Sequence, residues 1–399
     1  MSKTDFFARI GKELEHTSKR KERVAEEFTK DPSPRAVIGG SPYLIFNSND
    51  YLGLRFHPAL AKAEHDATLR FGAGPGAVRF ISGTLGIHRE LERALAAFHG
   101  REDAMLFSSA FAANLGALSV LCKGDDVFVV SDELNHRSII DGIRLSGVGK
   151  EQKSVFKHLD AEDLRRVLEE GKERFTRAVV VTDGVFSMLG EVAGLKELRR
   201  VVDAYDPLYP EGVLFVVDDC HGVGAVGERG RGTEEVFGVP ADLLVGTLGK
   251  SLGSDGGYVT GSKLLLDHLR ENASTYIYSN PISPGTAGAG IAAVKLLDTN
   301  DGIERLLHLR RNVAFFKEEA KKGKLILAAD SDHPIQPLLI GDTAKTRLLA
   351  DGLFAKGILV TPINFPVVPK GRDEIRIQIS ALHTNEDIVA LVDAIRQLL

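Results

Sequence analysis

The sequence predicts an α/β fold: a mostly parallel central sheet covered by helices on both faces, with a smaller α+β C-terminal domain. Three observations carry this expectation. Apolar runs of strand length recur between about 58 and 300, and they are near-continuous rather than alternating, as strands buried on both faces require. Segments with helical spacing separate them. The 41 glycines gather in loops that follow the runs, where a backbone can approach a ligand closely.

Along the chain, residues 1 to about 30 are rich in Lys, Arg and Glu, with sparse apolar positions at Phe6, Phe7, Ile10, Leu14 and Val24. This predicts a partly exposed helix, broken by Asp31-Pro-Ser-Pro-Arg35. A short strand follows at 43–46. Strand 104–107 leads into a helix over 111–121, strand 126–130 into one over 136–145, and strand 178–182 into one over 195–205. Runs at 213–217, 243–245 and 257–260 complete the predicted sheet. A helix over 302–322 opens the tail, which holds strands at 334–340, 358–360 and 375–379 and helices over 344–356 and 384–398. The expected organisation is therefore an N-terminal helical segment (1–45), a large α/β domain (46–295) and a small C-terminal α+β domain (296–399).

Composition narrows the functional classes. A net charge of -5 argues against nucleic-acid or anionic-membrane partners. Cys122 and Cys220 are the only cysteines; they lack metal-ligand spacing and suit a reducing compartment. No secretory leader is expected in the charged N-terminal stretch, and no apolar run approaches the roughly 20 residues of a membrane helix. A soluble, cytoplasmic, metal-free enzyme is the expectation.

Lys250 is the most informative residue. It stands in Gly246-Thr-Leu-Gly-Lys-Ser-Leu-Gly253, where a buried strand empties into a glycine-rich turn. Partial desolvation there would make its amine a better nucleophile toward a carbonyl. Upstream, Val216-Val-Asp-Asp-Cys-His221 ends another apolar strand. A loop lysine with an Asp-x-x-His is the equipment for holding pyridoxal phosphate (PLP) covalently. Asp218 would keep the pyridine nitrogen protonated, and His221 would hydrogen-bond the ring hydroxyl. His136, after a further strand, can lie flat over the ring. Ser109 to Asn114 open a helix with small residues, and free N–H groups there suit a phosphate; Thr247 can add a hydroxyl. Ser187, in Thr182-Asp-Gly-Val-Phe-Ser187, is offered to the ring oxygen. Each residue has a plainer structural reading, but the convergence of five strand-end loops favours the cofactor.

Three better-known patterns are decoys. Gly222-Val-Gly-Ala-Val-Gly227 fits a dinucleotide fingerprint, yet it does not open a helix. Gly249-Lys-Ser-Leu-Gly253 fits a nucleophile elbow but leaves Lys250 without a role. Gly249-Lys-Ser251 lacks the first P-loop glycine, because Leu244 occupies that place.

The chain resembles the α-oxoamine synthases, fold type I (aspartate-aminotransferase-like) PLP enzymes that join an amino acid to an acyl-CoA thioester. The likeness runs from Asn47-Ser-Asn-Asp-Tyr-Leu-Gly53 to Ile375-Arg-Ile-Gln-Ile-Ser-Ala-Leu-His-Thr384, through Gly72-Ala-Gly74, Ser82-Gly-Thr84, Asn135-His-Arg-Ser-Ile-Ile-Asp141, Asp183-Gly-Val-Phe-Ser-Met188 and Gly246-Thr-Leu-Gly-Lys250. It implies that Lys250 carries the cofactor and later takes the amino acid's α-proton. Asp218, His221, Ser187 and His136 hold the ring, and the backbone at Ala110 and Phe111, with Thr247, holds the phosphate. Arg376 would take the substrate carboxylate bidentately, assisted by Asn49. It also implies a homodimer with a shared site, in which Ser279 reaches the other subunit's phosphate.

Within the family the chain is most similar to the glycine C-acetyltransferase (2-amino-3-ketobutyrate CoA ligase) branch, through Val78-Arg-Phe-Ile81, Tyr278-Ser-Asn280 and Phe365-Pro-Val-Val-Pro-Lys-Gly371. Glycine and acetyl-CoA are the substrates this implies. Departures from the pattern are Asp255 in Gly253-Ser-Asp-Gly-Gly257, the short charged N-terminus, and the insertion Asp206-Pro-Leu-Tyr-Pro-Glu211. The alternatives are an 8-amino-7-oxononanoate synthase, another synthase with a longer acyl thioester, and a catalytically silent PLP-binding homologue.

Overall fold

A computed structural model describes residues 3–16, 27–28 and 34–399. Its centre is a seven-stranded sheet. In chain order the strands are β1 (Asp103–Phe107), β2 (Val127–Asp132), β3 (Lys153–Phe156), β4 (Arg177–Asp183), β5 (Val213–Asp218), β6 (Leu243–Thr247) and β7 (Gly257–Gly261). They lie side by side in the order β1-β7-β6-β5-β4-β2-β3. Only β7 runs against the others, between β1 and β6. The carboxyl ends of the remaining six therefore open on one edge, where ligands of such sheets collect.

Successive strand residues enter different cores, as the period of two demands. Val130, Val180, Phe215 and Val217 pack with Leu164, Val167, Leu198 and Val202 on one face. Val129, Val179, Val181, Val216 and Val245 pack with Ala113, Leu118, Ile139 and Leu266 on the other. Burial on both faces accounts for the near-continuous apolar runs. Strand β3 was not expected from the sequence: it is an edge strand with one buried residue, Phe156, so its composition stays polar.

The tail forms a three-stranded antiparallel sheet, with Glu374–Gln378 between Ile335–Leu339 and Thr361–Ile363. Helices Asn300–Lys322, Thr343–Ala355 and Asn385–Leu398 pack on it. Two expectations need correction. Residues 358–360 do not join this sheet: Ile358–Leu359 pairs in parallel with Ser41–Ile45, beside Arg35–Ile38. The N-terminal helix does not run to about 30, because it is described over Lys3–His16 and Glu27–Phe28 is already a strand. The stretches 17–26 and 29–33, with most of the predicted break, lie outside the described residues. The first 45 residues thus contain strands, so a wholly helical segment is not what forms. Phe46 is buried in the core of the tail, which brings the segment after it to the same sheet edge.

Candidate active site

At the carboxyl edge of the sheet, a cleft of about 350 Å³ is lined by Ala110, Phe111, His136, Ser187, Asp218, His221 and Lys250, together with Asn114, Ser138, Asp183, Val185 and Cys220. Seven of the residues singled out from the sequence therefore meet in one place. A wider groove of about 1720 Å³ lies at the amino ends of β5 and β6, beside Lys196 and Arg200, but no comparable set of catalytic groups lines it.

Lys250 is half-buried in the turn after β6. Asp218 ends β5 and is 5% exposed. A carboxylate so deep needs partners, and it has them: Asn114 Nδ2 donates at 2.5 Å and the Cys220 N–H at 3.0 Å. Asn114 Nδ2 also reaches Ser138 Oγ at 2.9 Å. Asp183 is the register neighbour of Asp218 across β4 and β5. Burial first, then the charge of Asp218, pushes its carboxyl well above the ordinary range. Two adjacent buried carboxyls cannot both ionise cheaply. Asp183 also accepts the His136 N–H at 2.9 Å, which fixes the start of helix Arg137–Leu145. The His136 imidazole meets Ser138 Oγ at 2.7 Å through Nδ1, and burial lowers its pKa.

His221 is buried, and its Nδ1 lies 2.8 Å from the Tyr51 hydroxyl. Burial, then the charges of Lys250 and Arg376, holds it well below the usual histidine range, so it is neutral. Ser187 sits on a loop that is clamped from outside. His158 bridges Asp132 at 2.9 Å and Glu191 at 3.0 Å and packs edge-on against Phe186. Burial alone would lower the His158 pKa, but Asp132 and then Glu191 outweigh it and raise it.

The helix Ala110–Leu121 begins at the cleft. Ser109 caps it by accepting the Ala112 N–H at 3.1 Å, whereas the N–H groups of Ala110 and Phe111 meet no protein acceptor among the described residues. Gly257 lies against this terminus so closely that a Cβ there would stand 2.2 Å from Ala110 N. Free helix N–H groups, a half-buried lysine, a buried carboxylate and a neutral histidine together fit a phosphorylated pyridine aldehyde.

Four expected residues stand outside the lining. The Thr247 hydroxyl is engaged by its own loop, donating to Gly256 O at 3.0 Å and accepting from Gly249 N at 3.1 Å. Arg376 Nε donates to Ser187 O at 2.6 Å. Asn49 Oδ1 accepts from Gln378 Nε2 at 2.6 Å. Ser279 bonds to Asn280 O, beside the exposed rings of Phe80 and Tyr278. Sequence reasoning assigned no role to Tyr51, Asn114, Asp183, Ser138 and His333. Tyr51, Asn114, Asp183 and Ser138 lay within quoted motifs; His333 carried no local signal.

This is the fold of the type I PLP-dependent transferases. A solved SPT structure with its PLP internal aldimine superposes with a TM-score of 0.88 at 29% identity, covering 99% of this chain and 96% of that one. The aminotransferase class I and II family matches residues 41–395. The 8-amino-7-oxononanoate synthase 1 of Bacillus velezensis is 40% identical over 366 residues, 91% of this chain and 90% of that protein. The mitochondrial 2-amino-3-ketobutyrate coenzyme A ligase of Mus musculus is 42% identical over 361 residues, 90% of this chain and 83% of its own length. The chain belongs to the aminotransferase class I and II family, as a PLP-dependent acyltransferase of the α-oxoamine synthase group. No helix among the described residues is long and apolar enough to cross a membrane.

Proposed function

We propose that the protein joins glycine to acetyl-CoA, giving 2-amino-3-oxobutanoate and CoA. The observation that carries the active-enzyme reading is the meeting of Lys250, Asp218, His221 and His136 in one cleft. The 42% likeness to the ketobutyrate ligase and the motifs around Val78 and Tyr278 support the glycine branch. The 40% likeness to the oxononanoate synthase supports a second reading, alanine with a pimeloyl thioester.

PLP, when bound, supplies an electron sink for the carbanion formed at the amino acid's α-carbon. The other roles belong to side chains. Lys250 holds the cofactor and then, as the free amine, removes the α-proton. Asp218, held in place by Asn114 and the Cys220 N–H, secures the proton on the pyridine nitrogen. His221 and Ser187 hold the ring oxygen, and His136 covers the ring face. The N–H groups of Ala110 and Phe111, with Thr247, hold the phosphate. Arg376 and Asn49 take the substrate carboxylate.

A second copy completes the site through Ser279. Phe80, Ile81 and Tyr278, exposed by 64%, 68% and 70%, are apolar surface that such a copy would cover. On this reading residues 46–295 bind the cofactor, 296–399 form the smaller domain, and the enzyme works in the cytoplasm, where buried free Cys122 and Cys220 stay reduced.

The test is a substrate matrix: glycine, alanine and serine against acetyl-CoA and pimeloyl-CoA, with products identified by mass. Turnover with glycine and acetyl-CoA alone supports the first reading. Turnover with alanine and pimeloyl-CoA replaces it by the second. Inertness with every pair despite bound cofactor would leave a silent homologue.

A further inference from the structure

We propose that Tyr51 is a positioning residue: its hydroxyl donates to Nδ1 of His221 and so keeps that imidazole's single proton on Nε2. The proposal rests on the reading that His221 meets the ring oxygen of the cofactor, since Nε2–H is the donor that this contact needs.

Tyr51 is fully buried, and a buried phenol must place its proton on an acceptor. Two candidates are within reach. His221 Nδ1 is at 2.8 Å. Asn49 Oδ1 is at 3.3 Å, and that oxygen already takes the Gln378 amide at 2.6 Å. The shorter and less committed acceptor is the imidazole.

The opposite arrangement, Nδ1–H donating to the tyrosine oxygen, meets a second objection. That oxygen already faces the donor groups of Arg376 and Gln378. With donors around it, the phenol's favourable remaining role is to donate. Burial raises Tyr51 to about 12, so it keeps its proton at working pH. His221 is neutral and carries one N–H shared between two nitrogens. Occupying Nδ1 as an acceptor leaves the proton on Nε2.

The backbone beneath His221 is held by a matching device. His333 Nδ1 accepts the Ile335 N–H at 3.1 Å, which puts its own proton on Nε2, 2.9 Å from the His221 carbonyl. His333 also meets the Tyr51 ring edge-on at 5.3 Å. Tyr51 and His333 thus grip the same residue, one by its ring and one by its main chain.

The experiment uses the holoenzyme and its Tyr51→Phe, His221→Ala and double variants. The first readout is the pH midpoint of the visible absorbance of the lysine-linked cofactor. Losing a donor to the ring oxygen makes that oxygen more negative, so the linkage holds its proton to higher pH. Tyr51→Phe should raise the midpoint by roughly 0.5–1 unit, a fraction of one charge-assisted hydrogen bond. Cofactor content and the thermal unfolding midpoint should stay near those of the parent, and the shift should vanish in the His221→Ala background.

An equal shift in both backgrounds would mean that Tyr51 does not act through His221, and the proposal falls. It also falls if Tyr51→Phe moves nothing while His221→Ala does. If His221→Ala alone leaves the midpoint untouched, the ring-oxygen reading of His221 fails instead. The second readout then decides the tautomer: nitrogen NMR of 15N-histidine-labelled parent enzyme should show His221 protonated at Nε2. Protonation at Nδ1 in the parent overturns the proposal without any substitution.

Discussion

Arg376 Nε donates to the main-chain carbonyl of Ser187 at 2.6 Å, so a strand of the C-terminal sheet holds the loop that follows β4. On the proposed reading one guanidinium has two duties: it ties two regions of the chain together and offers its remaining N–H groups to the substrate carboxylate. Lysine could supply the charge but not both contacts. Arg376→Lys should raise the apparent Kd for the amino acid by about tenfold or more, a loss on the order of 1.4 kcal/mol. Spectral titration with glycine checks this, and cofactor content should remain close to one per chain. Loss of cofactor would reassign Arg376 to holding the loop alone.

Lys250→Ala should fold, because Lys250 is only half-buried and stands in a turn rather than within a strand or helix. The purified variant should lose the visible band of the lysine-linked cofactor and at least about 10³-fold in turnover, as removal of a base and covalent anchor implies. A visible band retained in the variant, which borohydride then abolishes while fixing the cofactor on another lysine, would refute the assignment.

Gly257→Ala tests the phosphate end. A methyl group there would lie 2.2 Å from Ala110 N and 2.3 Å from the Ser109 carbonyl carbon. Both are backbone atoms, so the helix terminus itself must shift. Overpacking of this kind costs about 1–3 kcal/mol, and equilibrium dialysis should show weaker PLP retention. Gly86→Ala, at a position with nothing within 4 Å of the added carbon, should leave retention unchanged.

His158 makes the stability of the Ser187 loop depend on pH. Its folded pKa is raised by Asp132 and Glu191 despite burial. The folded state therefore binds a proton more tightly than the unfolded chain, whose histidine titrates near 6.5. The contribution is fully present below about pH 6.5 and is lost as pH rises through the raised value. The difference in unfolding free energy between the parent and His158→Gln should shrink across that window. A difference independent of pH would mean that the imidazole acts only by packing on Phe186.

The sheet was legible because strands buried on both faces betray themselves by composition. The helix expected over 195–205 appears as Leu195–Tyr205. The strand-end loops could also be read, and with them Lys250, Asp218, His221 and His136. What escaped has a common physical character. Strand β3 buries one side chain, so nothing marks it as a strand. Helix Pro284–Leu297 is small and apolar all round, which hides its period. Asn114 bonds to Asp218 across 104 positions, and Tyr51 to His221 across 170. Such partners belong to different windows of sequence, and only the packed sheet brings them together. Tyr51 even stood in a quoted motif, yet nothing near it in sequence names the imidazole it would serve.

The place of β7 bears on how the chain emerges from a ribosome. Strand β1 is held in the sheet through β7 alone, although some 150 residues separate them. The helix whose first residues, Ala110 and Phe111, line the cleft follows directly after β1. That helix packs on the helix Arg137–Leu145 and also touches β6 and β7, so its full set of neighbours is assembled only once β7 lies between β1 and β6. A nascent chain ending before β7 could already contain Lys250 and still lack the strand that joins β1 to the sheet. Arg376, which ties the Ser187 loop to the C-terminal sheet, arrives later again. An apolar edge waits unpaired in the meantime, a slow-folding state open to aggregation, and one that chaperones would have reason to shelter.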